Sequence, residues 1–473
     1  MDQFMPLHFF DDTPLLRSMV LHLFFAFNDV LDPQKLHYNL EALARRDGWQ
    51  KLGARLRRRN GRLEYHIPKE YTDKCPAIMF RHTEHNMKVS SHPIASQLPT
   101  PTTKASIVLD PDIFKSLAYH PSTPQRLQDY LNADIPQLSL HVISFTDATF
   151  VSLNWPHVMC DVIGIGSVLK GWTAMLKGRP EEVPRLYGTE TDPLVEFGLH
   201  AAEAHKLESQ HASIMRVFSQ YGLRNLSGFL FGTRKRLVCI PSSFISQLRE
   251  DALEVLKKDD PSQSKLFLSD GDIICAWWSR MVASQLTQDP NQTLVINNIQ
   301  SLRAVLSPDL IPSGLDYVSN GIGLITTLIP MKVALQDHLG FSASRIRHSI
   351  IELGTRAQAE AYAALLRASR YKLHPAFGDK SSQVVTYTNL TKGKLFHIDL
   401  SAAIVEGTQG SKPQSSTKPG TPCFMEYWQG FKYPTFFAIL GKDAAGNHWL
   451  SGNLRNSVWK KLEVALAEDR GDL

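Results

Sequence analysis

The chain has 473 residues, 43% of them hydrophobic and 21% charged, an ordinary globular composition with too much length for one average core, so two domains are expected. Its 51 basic and 46 acidic residues leave a formal charge of only +5 spread along the chain, which excludes the concentrated positive charge of a nucleic-acid binder and makes a polyanionic small molecule the easier partner. Five scattered cysteines (Cys75, Cys160, Cys239, Cys275 and Cys423) show no CxxC spacing, which argues against a disulfide framework or a cysteine zinc site and for a reducing compartment.

The N-terminus opens Met-Asp-Gln-Phe without a basic stretch, and the first apolar run, Met19 to Phe27, is broken by His22 and too short to span a bilayer. Neither secretion nor membrane insertion is expected, and a cytoplasmic protein follows. Ser18 to Phe27 reads as a buried strand, and Asp32-Pro33 starts a helix with Leu36, Leu40 and Leu43 at helical spacing. Arg55, Arg57, Arg58 and Arg59, with no interleaved aromatics, read as a solvated strand and turn before Asn60-Gly61. Leu138 to Phe145 and Thr149 to Trp155 form a hairpin, and Asp161 to Leu176 is a helix with Val162, Ile165, Leu169, Trp172 and Leu176 on one face, ending near Gly178-Arg179-Pro180.

Residues 179 to 235 read as a crossover, with a helical segment from Leu194 to about Phe218. A second alternation follows: a strand from Arg236 to Ile240, a helix from Ser242 to Lys257, and a helix capped by Ser269-Asp270 that carries Trp277 and Trp278. Leu294 to Ile299 and Ile322 to Met331 read as strands, Ser342 to Arg370 as one or two helices, and Val384 to Thr388 and Leu395 to Leu400 as strands. Gly407 to Pro422 is crowded with Gly, Ser, Thr, Pro and Lys and reads as a mobile surface loop. Phe436 to Leu440 and His448 to Ser451 form a hairpin around Asp443 to Gly446, and Ser457 to Ala467 closes the chain as a helix. Alternation on this scale means an α/β chain.

The pattern HxxxD occurs twice, at His8 to Asp12 and at His157 to Asp161. His157 sits just past a strand where a helix begins, which is where α/β proteins place functional side chains. On spacing alone a structural histidine and a catalytic base both remain open. Cys160 reads as a buried small hydrophobe rather than an acylated nucleophile. No GxSxG elbow, P-loop or dinucleotide fingerprint is present, and without HExxH or another compact ligand set no metal is implied.

The stretch from Leu138 to Gly178, with strand, turn, strand, HxxxD and helix in sequence, resembles the core of the BAHD acyltransferase superfamily and its condensation-domain relatives. Ser269 to Trp278 resembles the second-domain helix of that family, Asn297 to Leu306 with Arg303 the following strand and arginine, Asn320-Gly321 a turn in reversed order, and Thr386 to Ser401 the segment ending in the DFGWG motif. Fungal secondary-metabolite members such as the trichothecene acetyltransferases are the nearest in pattern. Where DFGWG is expected the chain has Asp399-Leu400-Ser401-Ala402-Ala403; Val162 replaces the glycine after HxxxD, and Leu390 stands where a tryptophan often precedes the late motif.

The resemblance implies two α/β domains with mixed sheets flanked by helices, as in chloramphenicol acetyltransferase, meeting around a tunnel. The matching boundaries are residues 1–178, joined by about 398–425, a crossover at 179–235, and 236–473. It implies an acyl-CoA-dependent O-acyltransferase, with acetyl-CoA as the favoured donor, acting as a monomer on a hydroxyl of a terpenoid or polyketide-like metabolite. His157 would be the general base and Asp161 a structural residue. Thr388 or Asn389 would serve the oxyanion, and Arg303 and Asp399 would form a structural ion pair. No CoA-contacting residue is identified. The alternatives are a condensation-type enzyme using a carrier-protein thioester and a non-catalytic binding protein with the same fold.

Overall fold

A computed structural model describes residues 2–213, 232–260, 267–287, 289–408, 410, 417–430 and 432–468. Two large sheets organise them. One has five strands in the order Phe424–Trp428, Val20–Phe27, Thr149–Pro156, Ser139–Ser144 and Met79–Glu84. The last pair is parallel and the others are antiparallel. The second has seven strands, in the order Ile322–Pro330, Thr293–Ser301, Gln383–Asn389, Phe436–Lys442, His448–Arg455, Thr233–Ile240 and Ser106–Leu109. Gln383–Asn389 runs parallel to both neighbours. A small third sheet joins Gln3–Pro6, Arg62–Ile67 and Arg55–Arg59.

Strand alternation explains why the seven-stranded sheet is covered on both faces. Leu237 and Cys239 point into the apolar cluster built on the five-stranded sheet. Val238 and Ile240 point the other way, against helices Ser242–Asp259, Asp270–Leu286, Leu339–Leu353 and Asn456–Ala467. Chain order is crossed twice between the sheets. Ser106–Leu109 pairs with Thr233–Ile240 in the larger sheet, and Phe424–Trp428 pairs with Val20–Phe27 in the smaller.

Local signals act as expected at most element ends. Asp32 caps helix Pro33–Arg45, accepting from Gln34 and Lys35 N–H, and Leu36, Leu40 and Leu43 are fully buried. Ser269 and Asp272 form a capping box on helix Asp270–Leu286. Asn60 and Gly61 take φ of 50° and 79°, the two positive values that a tight hairpin between Arg55–Arg59 and Arg62–Ile67 requires.

Three expectations need correction, and one strand was not expected. Arg55 is not solvated: it is 2% exposed and donates to the carbonyls of Gly53 and Pro76 at 2.6 and 3.0 Å. Residues 194–213 form no α-helix; the rest of that expected helix lies outside the described residues. Arg367 donates to the carbonyls of Leu194, Val195 and Phe197, occupying acceptors that a helical ladder would have used. Leu395–His397 is a 3₁₀ turn rather than part of a strand, because Lys394 before it takes a left-handed φ of 50°. Phe424–Trp428 is a strand that the sequence pattern hides, since all five residues are buried and Glu426 interrupts the apolar run. Much of the expected loop at Gly407 to Pro422 lies outside the described residues.

Candidate active site

His157 lies on the five-residue loop between strand Thr149–Pro156 and helix Val162–Leu176, and it is 7% exposed. Several polar groups of this loop's backbone have named partners, as a buried non-helical segment demands. His157 N–H donates to Met19 O at 3.0 Å and Met159 N–H to Pro156 O at 2.9 Å. The carbonyl of Val158 accepts from the Tyr65 hydroxyl at 2.6 Å, and that of Cys160 from Trp155 Nε1 at 3.0 Å. The carbonyl of His157 itself accepts from Asn320 Nδ2 at 2.9 Å. Gly164 lies so close to the loop that a side chain there would meet Cys160 Cβ at 2.8 Å.

Asp161 is the N-cap of the helix, its Oδ1 accepting from Gly164 N–H at 2.8 Å. Its Oδ2 accepts from Gly321 N–H and from Arg303 Nη1, both at 2.9 Å. Burial pushes the Asp161 pKa up, but the Arg303 charge and these hydrogen bonds outweigh it and hold the carboxyl below its usual value. Arg303 also donates to the carbonyls of Tyr317 and Ser319. Its guanidinium therefore ties the HxxxD loop to the segment from Tyr317 to Gly321.

The expected Arg303 to Asp399 pair does not form. Asp399 instead meets Lys177 at 2.5 Å, at the far end of helix Val162–Leu176. The reason is placement: Arg303 follows strand Thr293–Ser301 and runs beside Tyr317 to Gly321, against the buried Asp161, while Asp399 is half-buried beyond the helix C-terminus. Thr388 is half-buried in strand Gln383–Asn389, opposite Ile299 and Ala438. Asn389 is exposed and its Oδ1 accepts from Thr391 N–H at 3.0 Å. Among the described residues no hydrogen bond joins either of them to His157.

Burial lowers the His157 pKa, opposed by its own backbone carbonyl, the charges of Asp161 and Asp11, and the Asn320 side chain. The ring is neutral at pH 7. Its Nδ1 is buried without a hydrogen-bond partner among the described residues. His374 bears on the same site: burial, with the charge of His157 added, takes its pKa down to about 4, and its Nδ1 sits 2.6 Å from the Tyr362 hydroxyl. Burial also pushes the Cys160 thiol far above its usual range, so it stays protonated.

The second HxxxD match also lies beside this site. His8 is 2% exposed, with Nδ1 at 3.1 Å from the Tyr317 hydroxyl. Asp11 and Lys51 are buried near it and were not singled out by any local pattern. Asn320 stands out in sequence only as part of a turn. Nothing in sequence marks His374. Among the described residues no group of three or more His, Cys, Asp or Glu side chains could hold a metal ion. A cavity at the seam of the two large sheets, lined by Lys115, Lys235, Trp428, Lys432 and Asn453 among others, does not include His157.

No protein-family model matches the chain. By sequence it is 38% identical to the transcriptional regulator calD of Penicillium decumbens, over 99% of this chain and 96% of that one. It is 32% identical to the acetyltransferase adrJ of Penicillium roqueforti, over 98% and 95% of the two chains. With the O-acetyltransferase PaAT-2 of Phomopsis amygdali it shares 33% identity over 98% and 97%. Among solved structures, TRI101 of F. sporotrichioides, crystallised with coenzyme A and T-2, superimposes with a TM-score of 0.68 at 14% identity, covering 99% of this chain and 97% of that one.

Proposed function

The chain belongs to the BAHD, or HxxxD, acyltransferases of fungal secondary metabolism, and from that premise we propose that His157 is the general base of an acyl transfer from CoA to a hydroxyl. The observation that carries the reading is a neutral, buried imidazole on a strand-to-helix loop whose backbone is held by Met19, Tyr65, Trp155 and Asn320.

An alcohol does not ionise appreciably at neutral pH, so its proton must leave as the oxygen attacks the thioester carbonyl, and a neutral imidazole suits that duty. His157 takes that proton, and the C–O bond forms while the carbonyl π pair moves onto oxygen. The resulting oxyanion needs a donor aimed at its final position. Thr388 through its hydroxyl or Asn389 through Nδ2 is our choice; the Asn389 oxygen accepts from Thr391 N–H, which leaves the amide nitrogen to donate. Collapse breaks the C–S bond, and the imidazolium returns its proton to the CoA thiolate. No covalent enzyme intermediate is needed. Asp161 caps the helix and anchors the loop rather than relaying a proton, because its two oxygens are already taken by Gly164, Gly321 and Arg303.

The donor in this reading is acetyl-CoA and the acceptor a hydroxyl of a terpenoid or polyketide-like metabolite; the acetyltransferase and O-acetyltransferase names of the relatives support the acetyl group and the oxygen acceptor, and TRI101 binds coenzyme A and T-2. The enzyme would work as a cytoplasmic monomer. No described helix is long and apolar enough to cross a membrane. The name of calD favours a second reading, a binding protein that keeps the fold without turnover.

One assay separates them. Acetyl-CoA is supplied with a library of hydroxylated terpenoids and polyketides, and thiol release and acylated product are measured for the wild type and His157→Ala. We expect turnover that falls by about 10²–10⁴-fold in the variant. Unchanged turnover in the variant would sink the mechanism. Turnover only with a loaded carrier protein would make the enzyme condensation-type, and none with any donor would favour the binding protein.

A further inference from the structure

The second HxxxD match lies directly behind the reacting loop, and its inward carboxylate is Asp11 rather than Asp12. Asp12 pairs with Arg17 at the partly exposed edge, whereas Asp11 is fully buried. Asp11 Oδ1 accepts from both Asn320 N–H and Asn320 Nδ2, at 2.7 and 2.8 Å. Its Oδ2 meets Lys51 Nζ at 3.3 Å, and Lys51 in turn donates to Val318 O at 3.1 Å and Ser319 Oγ at 2.6 Å.

We propose that Asp11, neutralised by Lys51, is a positioning residue for His157 that acts through Asn320; the inference rests on the reading of His157 as the base.

The arrangement around Asn320 and Gly321 is nearly symmetric. Two consecutive backbone N–H groups donate to two different buried carboxylates, Asn320 to Asp11 and Gly321 to Asp161. Each carboxylate has its own cation, Lys51 for one and Arg303 for the other. The segment from Tyr317 to Gly321 is thereby gripped from both sides. A carboxylate with no task beyond filling space would be a poor choice here, because taking an ion pair out of water is costly unless further hydrogen bonds complete it.

The link to the reacting residue runs through one amide. Asn320 Nδ2 sits between Asp11 Oδ1 at 2.8 Å and the carbonyl of His157 at 2.9 Å. Fixing that carbonyl fixes the peptide plane that follows the Cα of His157, and so the direction in which the ring leaves the loop. The same side chain bears on the ring: Asn320 is among the groups that favour its protonated form. His157 Nδ1 and Asn320 Oδ1 are both buried without a hydrogen-bond partner among the described residues. An Nδ1 proton facing this amide and the histidine's own carbonyl leaves Nε2 as the nitrogen that accepts from substrate. The charged groups that bear on the ring are Asp161 and Asp11, which favour its protonation; His374, with its pKa lowered to about 4, is neutral beside it.

Removing Asp11 alone would strand the Lys51 charge, so the test uses the neutral double variant Asp11→Asn/Lys51→Met together with Asn320→Ala. The full-length chain is labelled with ¹⁵N-histidine, and long-range ¹H–¹⁵N spectra give the tautomer and titration of His157, its signal assigned by its loss in His157→Ala. We expect an Nδ1–H tautomer in the wild type, loss of that preference in Asn320→Ala, and titration of the ring at lower pH in both variants. With acetyl-CoA and the acceptor turned over by the wild type, kcat should fall about tenfold to a hundredfold at unchanged KM for acetyl-CoA, the size of effect that small misplacement produces. With Lys51→Met in both, Asp11→Asn, which keeps an oxygen where Asn320 donates, should retain more kcat than Asp11→Ala. A His157 tautomer and titration unchanged in both variants would overturn the inference, even if their melting temperatures drop. If His157→Ala keeps its turnover, the base assignment fails instead, and the spectra still judge the positioning.

Discussion

Helix Val162–Leu176 carries an ion pair at each end, and the two ends show what desolvation does to the same kind of contact. At the N-terminus the Asp161 side chain is 5% exposed and accepts from Arg303, Gly164 and Gly321. At the C-terminus Asp399 is 36% exposed and meets Lys177, with Ser401 N–H donating to its other oxygen at 2.9 Å. Both pairs follow the helix dipole, the anion at the N-terminal end and the cation at the C-terminal end. Only the N-terminal end is covered by Tyr317 to Gly321, so only there is a charge stranded when its partner is removed. The aspartate that survives from the late family motif sits at the end where little depends on it.

The largest effect that sharpens this contrast is expected from Arg303→Met, which leaves Asp161 charged and buried. Breaking such a pair costs about 3–5 kcal/mol. Denaturant midpoints should show the loss, and the further change Asp161→Asn in the same chain should recover part of it. The contrast breaks if Arg303→Met is no more destabilising than Asp399→Ala.

Acid gives an intermediate effect. His22 and His141 are buried in the five-stranded sheet, and burial lowers their pKa values to about 3 and about 4. Unfolded histidines take a proton near 6.5, while these stay neutral in the fold, so stability is fully present above pH 6.5 and falls as pH drops toward those folded values. Each such site contributes about 1.4 kcal/mol per pH unit in that window. Asp161, held below its usual value, loses its contribution only as pH falls further, through its folded pKa. Denaturant midpoints at falling pH should therefore decline from about pH 6.5 in wild type and Asp399→Ala alike. A flat profile down to the carboxylate range would contradict the burial of these rings.

The smallest effect belongs to Asp399→Ala, expected within about 1 kcal/mol of wild type because exposed pairs are screened by solvent. Its kcat should be unchanged in the assay used for His157→Ala. A large loss of either would mean that the late motif does more than its half-exposed position suggests.

Much of the framework was legible residue by residue. The hairpin before His157, the cap at Asp161 and the capping box at Ser269 are local signals, and the fold uses each of them. The failures share a cause in partners far along the chain. Phe424–Trp428 looks like a poor strand because of Glu426, whose Oε1 accepts from Lys235 and Ser451. In the segment from Leu194, where the expected helix is absent, three carbonyls accept from the distant Arg367. Of the expected site residues, His157 and Asp161 share one loop with Arg303 beside them, while Thr388, Asn389 and Asp399 make no hydrogen bond to them among the described residues.

The sequence by itself determined the strand–loop–helix unit that presents His157, because hydrophobic periodicity, caps and breakers act within a few residues. Only the tertiary structure decided that Arg303 answers Asp161 and that Asp11 stands behind Asn320. Those contacts join residues 142 and 309 positions apart. A hydrogen bond works only near 3 Å and near linearity, so its partner is fixed by how sheets and loops stack and not by any spacing along the chain.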